Sequence, residues 1–299
     1  MIVSVLIPSY RRYLDLQRCL SAIAEQTRAA EQVVVVARDG DSETFEVFRE
    51  WQAKLPLEIV EVTVPGQVYA LNAGLGRCRG DVVAITDDDA APRADWLARI
   101  QAHFEADDKL GGVGGRDWVH QNGGMEIGQR RIVGKVQWFG RVVGHHHLGA
   151  GPAREVDILK GANCAFRMRA IEPVGFNSHL RGTGAQVHND MAASLAVRRA
   201  GWRLVYDPEV AVDHYPAARF DRDARGKFDA QATADRAYNF RVALAEISPL
   251  PRRLAAMAWH YAVGTRDEPG VLNGLRMIAR REPYGLQKFL AAHRAPREG

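Results

Sequence analysis

The stretch DVVAITDDDAAPRADWL (81–97) decides how the chain is read. An apolar segment of Val, Ala and Ile runs directly into Asp87, Asp88 and Asp89, and Pro92 then precedes a helical pattern. A short continuous apolar run suits a strand buried on both faces of a sheet. Three adjacent carboxylates at its end repel one another when partly buried. The carboxyl ends of strands in open α/β sheets are also where ligands bind. A divalent cation reconciles the two facts, because Mg2+ is typically held by one or two carboxylates together with substrate phosphates. A solvated acidic turn capping the next helix is the alternative, since Asp is favoured at helix N-caps.

Outward from this stretch the same grammar repeats. VSVLI (3–7), QVVVVA (32–37) and LEIVEVTV (57–64) are further strand candidates. Between them, YLDLQRCLSAIAEQ (13–26) places Leu16, Cys19, Leu20 and Ile23 on one helical face. ETFEVFREWQAK (43–54) does so with Phe45, Val47, Phe48 and Trp51, and GQVYALNAGLGRC (66–78) reads as another helix. Strict alternation of this kind predicts an α/β fold with a mostly parallel sheet flanked by helices. ADWLARIQAHFEAD (94–107) and NDMAASLAVRRAG (189–201) add helices. GGVGGRDWV (111–119), KVQWFGRVV (135–143) and VDILKGANCAFRM (156–168) read as strands. WRLVYD and EVAVDHY follow as two short strands separated by Pro208, and His145–His147 with GAGPA (149–153) form a polar loop. Helices are expected over 226–247, 249–264 and 270–292. The change in character divides the chain into an α/β unit, 1–216, and a C-terminal helical region, 217–299.

Composition narrows the partners. With 299 residues, 46% hydrophobic and 25% charged, the chain can bury a sizeable core and is not of the disordered class. The net charge of +4 names no nucleic-acid partner. Its distribution is uneven: residues 217–299 hold 15 Lys+Arg against 9 Asp+Glu, and residues 1–216 hold 25 against 27. Cys19, Cys78 and Cys164 are widely spaced without a C-x-x-C pair, which fits a reducing compartment better than a disulfide or zinc scaffold. The apolar run at the N-terminus is too short for a signal peptide, and nothing approaches the ~20 apolar residues of a membrane span. These features lead to the expectation of a cytoplasmic protein, soluble or peripheral on the inner face of the membrane.

Four segments, VSVLIPSYRR (3–12), QVVVVARDGDS (32–42), NAGLGRCRGDVVAITDDDA (72–90) and HNDMAASLAVRRAGWRLVYDPEVAVDH (188–214), occur in an order that resembles family 2 glycosyltransferases, which have the GT-A fold. The resemblance implies inverting, divalent-metal-dependent transfer of a sugar from a nucleoside-diphosphate sugar to an acceptor hydroxyl, saccharide or lipid-linked, in cell-envelope polysaccharide or glycolipid synthesis. It implies that Pro8, Ser9, Tyr10 and Arg12 line the nucleotide pocket, and that Asp39 contacts the base, with Arg38 standing where the family carries a further Asp. The D-x-D motif matches Asp87-Asp88-Asp89: Asp89 as ligand of Mg2+ or Mn2+, Asp87 and Asp88 toward the ribose or beside the ion, with Asp87 as a further candidate ligand. Asp190 matches the general base, preceded by Asn189 where the family usually has Glu. His188, Asn189 and Asn163 fall on the acceptor side. His214 matches a His directed at the metal or diphosphate, imidazole being an ordinary ligand of Mn2+; a structural His is the alternative.

Other readings were weighed on the same residues. A sugar-phosphate nucleotidyltransferase needs a Gly-rich basic loop after the first strand, and residues 8–14 contain no glycine. A dinucleotide oxidoreductase needs G-x-G-x-x-G there. A non-catalytic partner subunit of the same fold is the third rival. Trp118 and Trp138 either stack on a sugar or pack in the core. In 270–292, Val271, Leu272, Leu275, Met277, Ile278, Leu286, Phe289 and Leu290 lie beside Arg276, Arg280, Arg281 and Lys288. An apolar face with a basic flank suits an anionic membrane surface; a cap on the catalytic unit or a homodimer surface are the alternatives.

Overall fold

The computed structural model describes residues 1–121, 123–220 and 228–294. The first part alternates as read: β1 (Val3–Ser9), α1 (Tyr13–Ala24), β2 (Gln32–Arg38), α2 (Ser42–Trp51), β3 (Leu57–Val62), α3 (Gln67–Leu75) and β4 (Val82–Thr86). A three-residue strand, β5 (Ala90–Pro92), then precedes α4 (Trp96–Ala106) and the long β6 (Leu110–Gln121). The irregular middle contains β7 (Gly124–Met125), β8 (Lys135–Val136), β9 (Val142–Val143), a 3-10 turn at His146–Leu148, and β10 (Arg154–Val156). β11 (Asn163–Arg167), α5 (Met168–Ile171), α6 (Asn189–Arg199) and β12 (Arg203–His214) complete the sheet. α7 (Ala230–Ala245), α8 (Leu250–Ala262), α9 (Val271–Ala279) and α10 (Gly285–Ala292) follow.

The main sheet runs β10-β12-β6-β11-β4-β1-β2-β3. β3, β2, β1 and β4 are mutually parallel, β11 is antiparallel between β4 and β6, and β6 is parallel to β12. The near-continuous apolar runs follow from burial on both faces. Alternate residues Leu6, Val34, Val36, Val83 and Ile85 pack with α3 and α6 on one side. Val3, Val5, Ile7, Val33, Val35 and Ala84 pack with α1 and α4 on the other. The first of these clusters continues into Phe240, Ala243, Leu244 and Ala256 of α7 and α8.

The structure departs from the sequence expectations where glycine or proline sits in a strand. WRLVYD and EVAVDHY form one strand, β12, with a register shift against β6 between Asp207 and Val212. Pro208 lies in that bulge, where a missing N–H costs no ladder bond. Gly115, opposite the bulge in β6, is required by space: a Cβ there would lie 1.7 Å from the Val210 carbonyl oxygen; one on Gly111, at the start of β6, would lie 2.4 Å from Trp202 Cβ. Residues 135–143 form two short strands with a turn between them, and Trp138 there is largely exposed. Of the strand expected over 156–168, Asn163–Arg167 forms β11, while 157–162 is the connection from β10. The helix expected over 270–292 is two helices, broken by Pro283 between residues with positive φ, Arg281 and Tyr284. The helix expected over 226–247 begins at Ala230, capped by Asp229; residues 226 and 227 lie outside the described residues.

Gly115→Ala should lower the melting temperature measurably, since backbone atoms rather than a flexible side chain occupy the space. Overpacking of this kind costs about 1–3 kcal/mol, and thermal unfolding followed by circular dichroism reads it; an unchanged melting temperature would show that the bulge yields freely.

Candidate active site

The acidic triplet leaves the sheet at the end of β4 and turns at once into β5, which pairs antiparallel with β12 so that Ala90 faces His214. This brings the last residue of β12 against the triplet. Asp88 and Asp89 are 2% exposed. Arg12, just past β1, places Nη1 2.9 Å from Asp88 Oδ1 and 3.7 Å from Asp89 Oδ2. The chain beyond β12 folds back over the same turn: the Ala217 N–H donates to Asp89 Oδ2 (2.9 Å) and the Tyr215 N–H to the Asp89 carbonyl (2.8 Å). Behind them His214 Nδ1 lies 3.5 Å from Asp117 Oδ2, and Asp117 is ion-paired with Lys160.

Burial and pairing push the carboxyls apart. Burial raises Asp88 to about 7, partly opposed by Arg12. Burial would raise Asp89 as well, but His214, the Ala217 N–H and Arg12 outweigh it and hold Asp89 at about 2. Asp87 is raised by burial and by the charge of Asp89. His214 is raised to about 9, because Asp117 and Asp89 together overcome its burial. Closely spaced carboxylates in little water divide their charge in this way.

The donor set fits a divalent cation. Asp87, Asp89 and His214 each offer one ligand atom, all within 4.8 Å of one another. His214 Nε2 and Asp89 Oδ1 are 3.2 Å apart but not aligned as a hydrogen bond; both are buried without a hydrogen-bond partner among the described residues, as is Asp88 Oδ2. Buried polar atoms are rarely left so. His214 also has the carboxylate behind its other nitrogen that ligating imidazoles usually have. Carboxylate and imidazole donors suit Mn2+ or Mg2+.

An open cavity of about 840 Å3 lies over the triplet, lined by Pro8, Ser9, Tyr10, Arg12, Gln67, Asp87, Asp88 and Asp89 among others. The sequence reading brought all of these except Gln67. The loop 183–185, Arg219 and Phe220, which the sequence did not single out, also line the space, as does Arg38, noted there only as a departure from the family's Asp. The guanidinium of Arg38 sits 4.7 Å from the Tyr10 ring centroid and that of Arg11 5.1 Å away. Phe220 meets the same ring edge-on. Asp39, expected at the base, is exposed at the end of β2 and does not line the cavity. Its neighbour Arg38 lines the cavity.

Asp190 lies in an adjoining pocket with Leu159, Gly161, Cys164 and Asn189. Gln67 lines both spaces, and its side-chain amide donates to Asp87 Oδ1 (3.3 Å). The Pro65-Gly66 pair that turns the chain into α3 was the sequence signal for this position. Asp190 lies in the first turn of α6. Its oxygens accept from the Met191 N–H (2.8 Å) and the Gly161 N–H (3.1 Å).

The residues expected on the acceptor side have other partners. Asn163 is 1% exposed, donates to the Arg116 and Val210 carbonyls and accepts from Trp96 Nε1. Its amide is spent on holding β11 to β6 and β12. The Asn189 amide donates to the Ala185 and Gln186 carbonyls, a bond that a Glu carboxylate could not make. His188 pairs through Nε2 with Glu268, 3.1 Å away. In the His145–His147 triplet, His146 is buried and bonded to the Ile158 carbonyl, whereas His145 is exposed and His147 half-buried. The Trp118 ring has two guanidiniums near it, those of Arg116 at 3.5 Å and Arg93 at 5.0 Å from its centroid.

Comparison with known proteins agrees with this architecture. Residues 2–229 match the profile of the family described as Glycosyltransferase like family 2. Glycosyltransferase AglE of Haloferax volcanii is 27% identical over 233 residues, covering 76% of this chain and 70% of the relative. A glucosyl-dolichyl phosphate glucuronosyltransferase of the same organism is 25% identical over 224 residues, 71% and 68% of the two chains. The fold is shared with the mannosyltransferase PcManGT of Pyrobaculum calidifontis, solved with GDP-Man and Mn2+ (TM-score 0.58, 21% identity, 97% of this chain and 85% of that one). It is shared also with S. aureus TarS 1-349 in complex with UDP-GlcNAc (TM-score 0.67, 14% identity, 98% and 82%). The chain therefore belongs to the glycosyltransferase-like family 2 and is a glycosyltransferase with the GT-A fold.

Proposed function

We propose that the chain catalyses inverting, divalent-metal-dependent transfer of a sugar from a nucleoside-diphosphate sugar to an acceptor hydroxyl. The observation that carries this reading is the convergence of Asp87, Asp89 and His214, with buried atoms lacking partners, under a cavity that meets the Asp190 pocket at Gln67. Residues 1–216 are taken as the catalytic unit and 217–299 as its helical extension.

Tyr10, Arg12, Arg38 and Ser9 would hold the nucleotide and diphosphate, with Asp88 fixing Arg12 beside them. Asp89, His214 and Asp87 would hold Mn2+ or Mg2+, which when bound neutralises charge on the departing diphosphate. Asp190 would accept the proton of the acceptor hydroxyl as it attacks the anomeric carbon from the face opposite the nucleotide. One carboxylate suffices for a single displacement, whereas a retaining hydrolase needs two about 5 Å apart. Its main-chain bonds to Met191 and Gly161 fix the carboxylate without neutralising it.

The helical extension supports a lipid-linked acceptor met at the cytoplasmic face of a membrane. Leu250 and Leu254 in α8, Val271 and Leu275 in α9, and Leu286 and Leu290 in α10 form exposed pairs one helical turn apart. Arg276, Arg280 and Arg281 are exposed and unpaired among the described residues. Exposed leucine with free arginine favours an anionic bilayer surface. No helix among the described residues is long and apolar enough to cross a membrane. One relative's name itself carries a dolichyl phosphate.

Four outcomes test the reading. Asp190→Asn should cut turnover by about 10²–10⁴ while GDP-mannose or UDP-GlcNAc with Mn2+ still raises the melting temperature. Asp89→Asn should lose the metal-dependent part of that rise; transfer at wild-type rate by both variants would refute the site. Ligation needs neutral His214, which is protonated below about pH 9. Apparent Mn2+ affinity should therefore rise about tenfold per pH unit between pH 6 and 8, with proton release on binding; calorimetry showing no pH dependence removes His214 from the ligands. Finally, the protein should co-sediment with vesicles containing anionic lipid, less so in high salt, and Leu272→Ser with Leu275→Ser should weaken it. Concentration-dependent dimerisation without vesicle binding would assign the face to a second copy.

A further inference from the structure

His188, two residues before Asp190, is the N-cap of α6 and has a left-handed backbone, φ 77° and ψ 10°. A non-glycine residue keeps that conformation only where its surroundings hold it there. Its carbonyl accepts the first bond of the helix, from the Ala192 N–H at 2.9 Å. Its ring is held from two sides by the C-terminal helical region. The Phe240 ring of α7 packs on it at 4.9 Å, with His260 of α8 on Phe240 in turn at 5.0 Å. Glu268, from the turn between α8 and α9, places Oε1 3.1 Å from His188 Nε2.

Glu268 is built to stay where it is. It is 4% exposed, and Thr265 Oγ1 and Arg236 Nε, the latter at 3.5 Å, complete its surroundings. Thr265 Oγ1 also accepts from the Glu268 N–H (2.9 Å), and the Thr265 N–H donates to the Glu268 carbonyl (2.9 Å). Gly264 permits the turn, since a Cβ there would lie 2.3 Å from the Glu268 carbonyl oxygen. A buried ion pair is weak evidence for stability in itself, and its better-attested use is to specify one arrangement.

We propose that Glu268 is a positioning residue for the transfer reaction: by holding His188 at the head of α6 it aims the Asp190 carboxylate into the acceptor pocket. The inference rests on Asp190 being the general base. It gives the helical extension a part in the chemistry, since the anchor comes from 217–299 and the base from the α/β unit. A displacement of the base by about 1 Å can cost ~10²-fold in rate.

The test compares Glu268→Gln and Glu268→Asp with His188→Asn, which keeps a residue tolerant of left-handed backbone but removes the imidazole. Hydrogen–deuterium exchange should rise about tenfold over residues 186–192 in Glu268→Gln and His188→Asn, with residues 3–12 and 82–92 unchanged. Nucleoside-diphosphate release from GDP-mannose or UDP-GlcNAc with Mn2+ should fall about 10- to 100-fold in kcat, with donor KM within twofold, and Glu268→Asp should recover part of it. A merely structural role would lower the melting temperature with wild-type kcat per folded molecule, and that result overturns the inference, as does unchanged exchange at 186–192. Where Glu268→Gln does not fold, His188→Asn decides by the same two readings. Asp190→Ala run in parallel separates the two failures: wild-type turnover there refutes the base itself, whereas loss there with wild-type turnover in the anchor variants refutes only the anchor.

Discussion

The organising constraint is the burial of two consecutive carboxylates, Asp88 and Asp89, at the end of a central strand. Buried charge is tolerated only when paired or coordinated. The compensating groups come from far apart in the chain: Arg12 after β1, His214 at the end of β12, and the Ala217 N–H beyond it. The order of strands around β4 can be understood as the means of delivering these groups to one place.

That demand propagates backwards through β12. For His214 to reach Asp89, β12 must run the whole length of β6 and also pair with β5. The bulge at Pro208 and the glycines of β6 accommodate this, because the Val210 carbonyl occupies the space that a side chain on Gly115 would need. Asp117, on β6, then stands behind the imidazole and is itself paired with Lys160. The Gly-rich segment 111–119, read as a strand, thus also supplies the carboxylate behind the imidazole. Gln67 works differently, joining the two cavities from the start of α3.

Where the sequence pattern was legible, it was so because a single physical demand repeated locally. Burial on both faces writes an unbroken apolar run, so β1, β2 and β4 and the helices between them could be read directly. The acidic triplet was legible because uncompensated adjacent carboxylates are costly anywhere. Legibility ended where contacts are non-local. Asn163 looks like a polar group available to a ligand, yet its amide is consumed by carbonyls 47 residues away in both directions, those of Arg116 and Val210. Asp39 sits beside the residue that lines the cavity, one position off, and only the direction of the chain after β2 distinguishes them. Pro208 was read as a strand break because a bulge cannot be seen without the opposing strand.

By itself the sequence determined the alternating α/β architecture, the acidic turn at its centre, the helix that opens at Asp190 and the concentration of basic charge in residues 217–299. These depend on period, on the repulsion of adjacent charges and on composition, all of which are written in consecutive residues. The family resemblance pointed Arg12 at the nucleotide pocket and His214 at the metal, but the tertiary structure alone decided that Arg12 pairs with Asp88, that Gln67 joins the two cavities, and that Glu268 meets His188. Such pairs lie tens to more than a hundred residues apart, with Arg12 76 residues from Asp88 and His188 80 from Glu268. No local pattern encodes them, because the energy of each contact becomes available only after the chain between its partners has been packed.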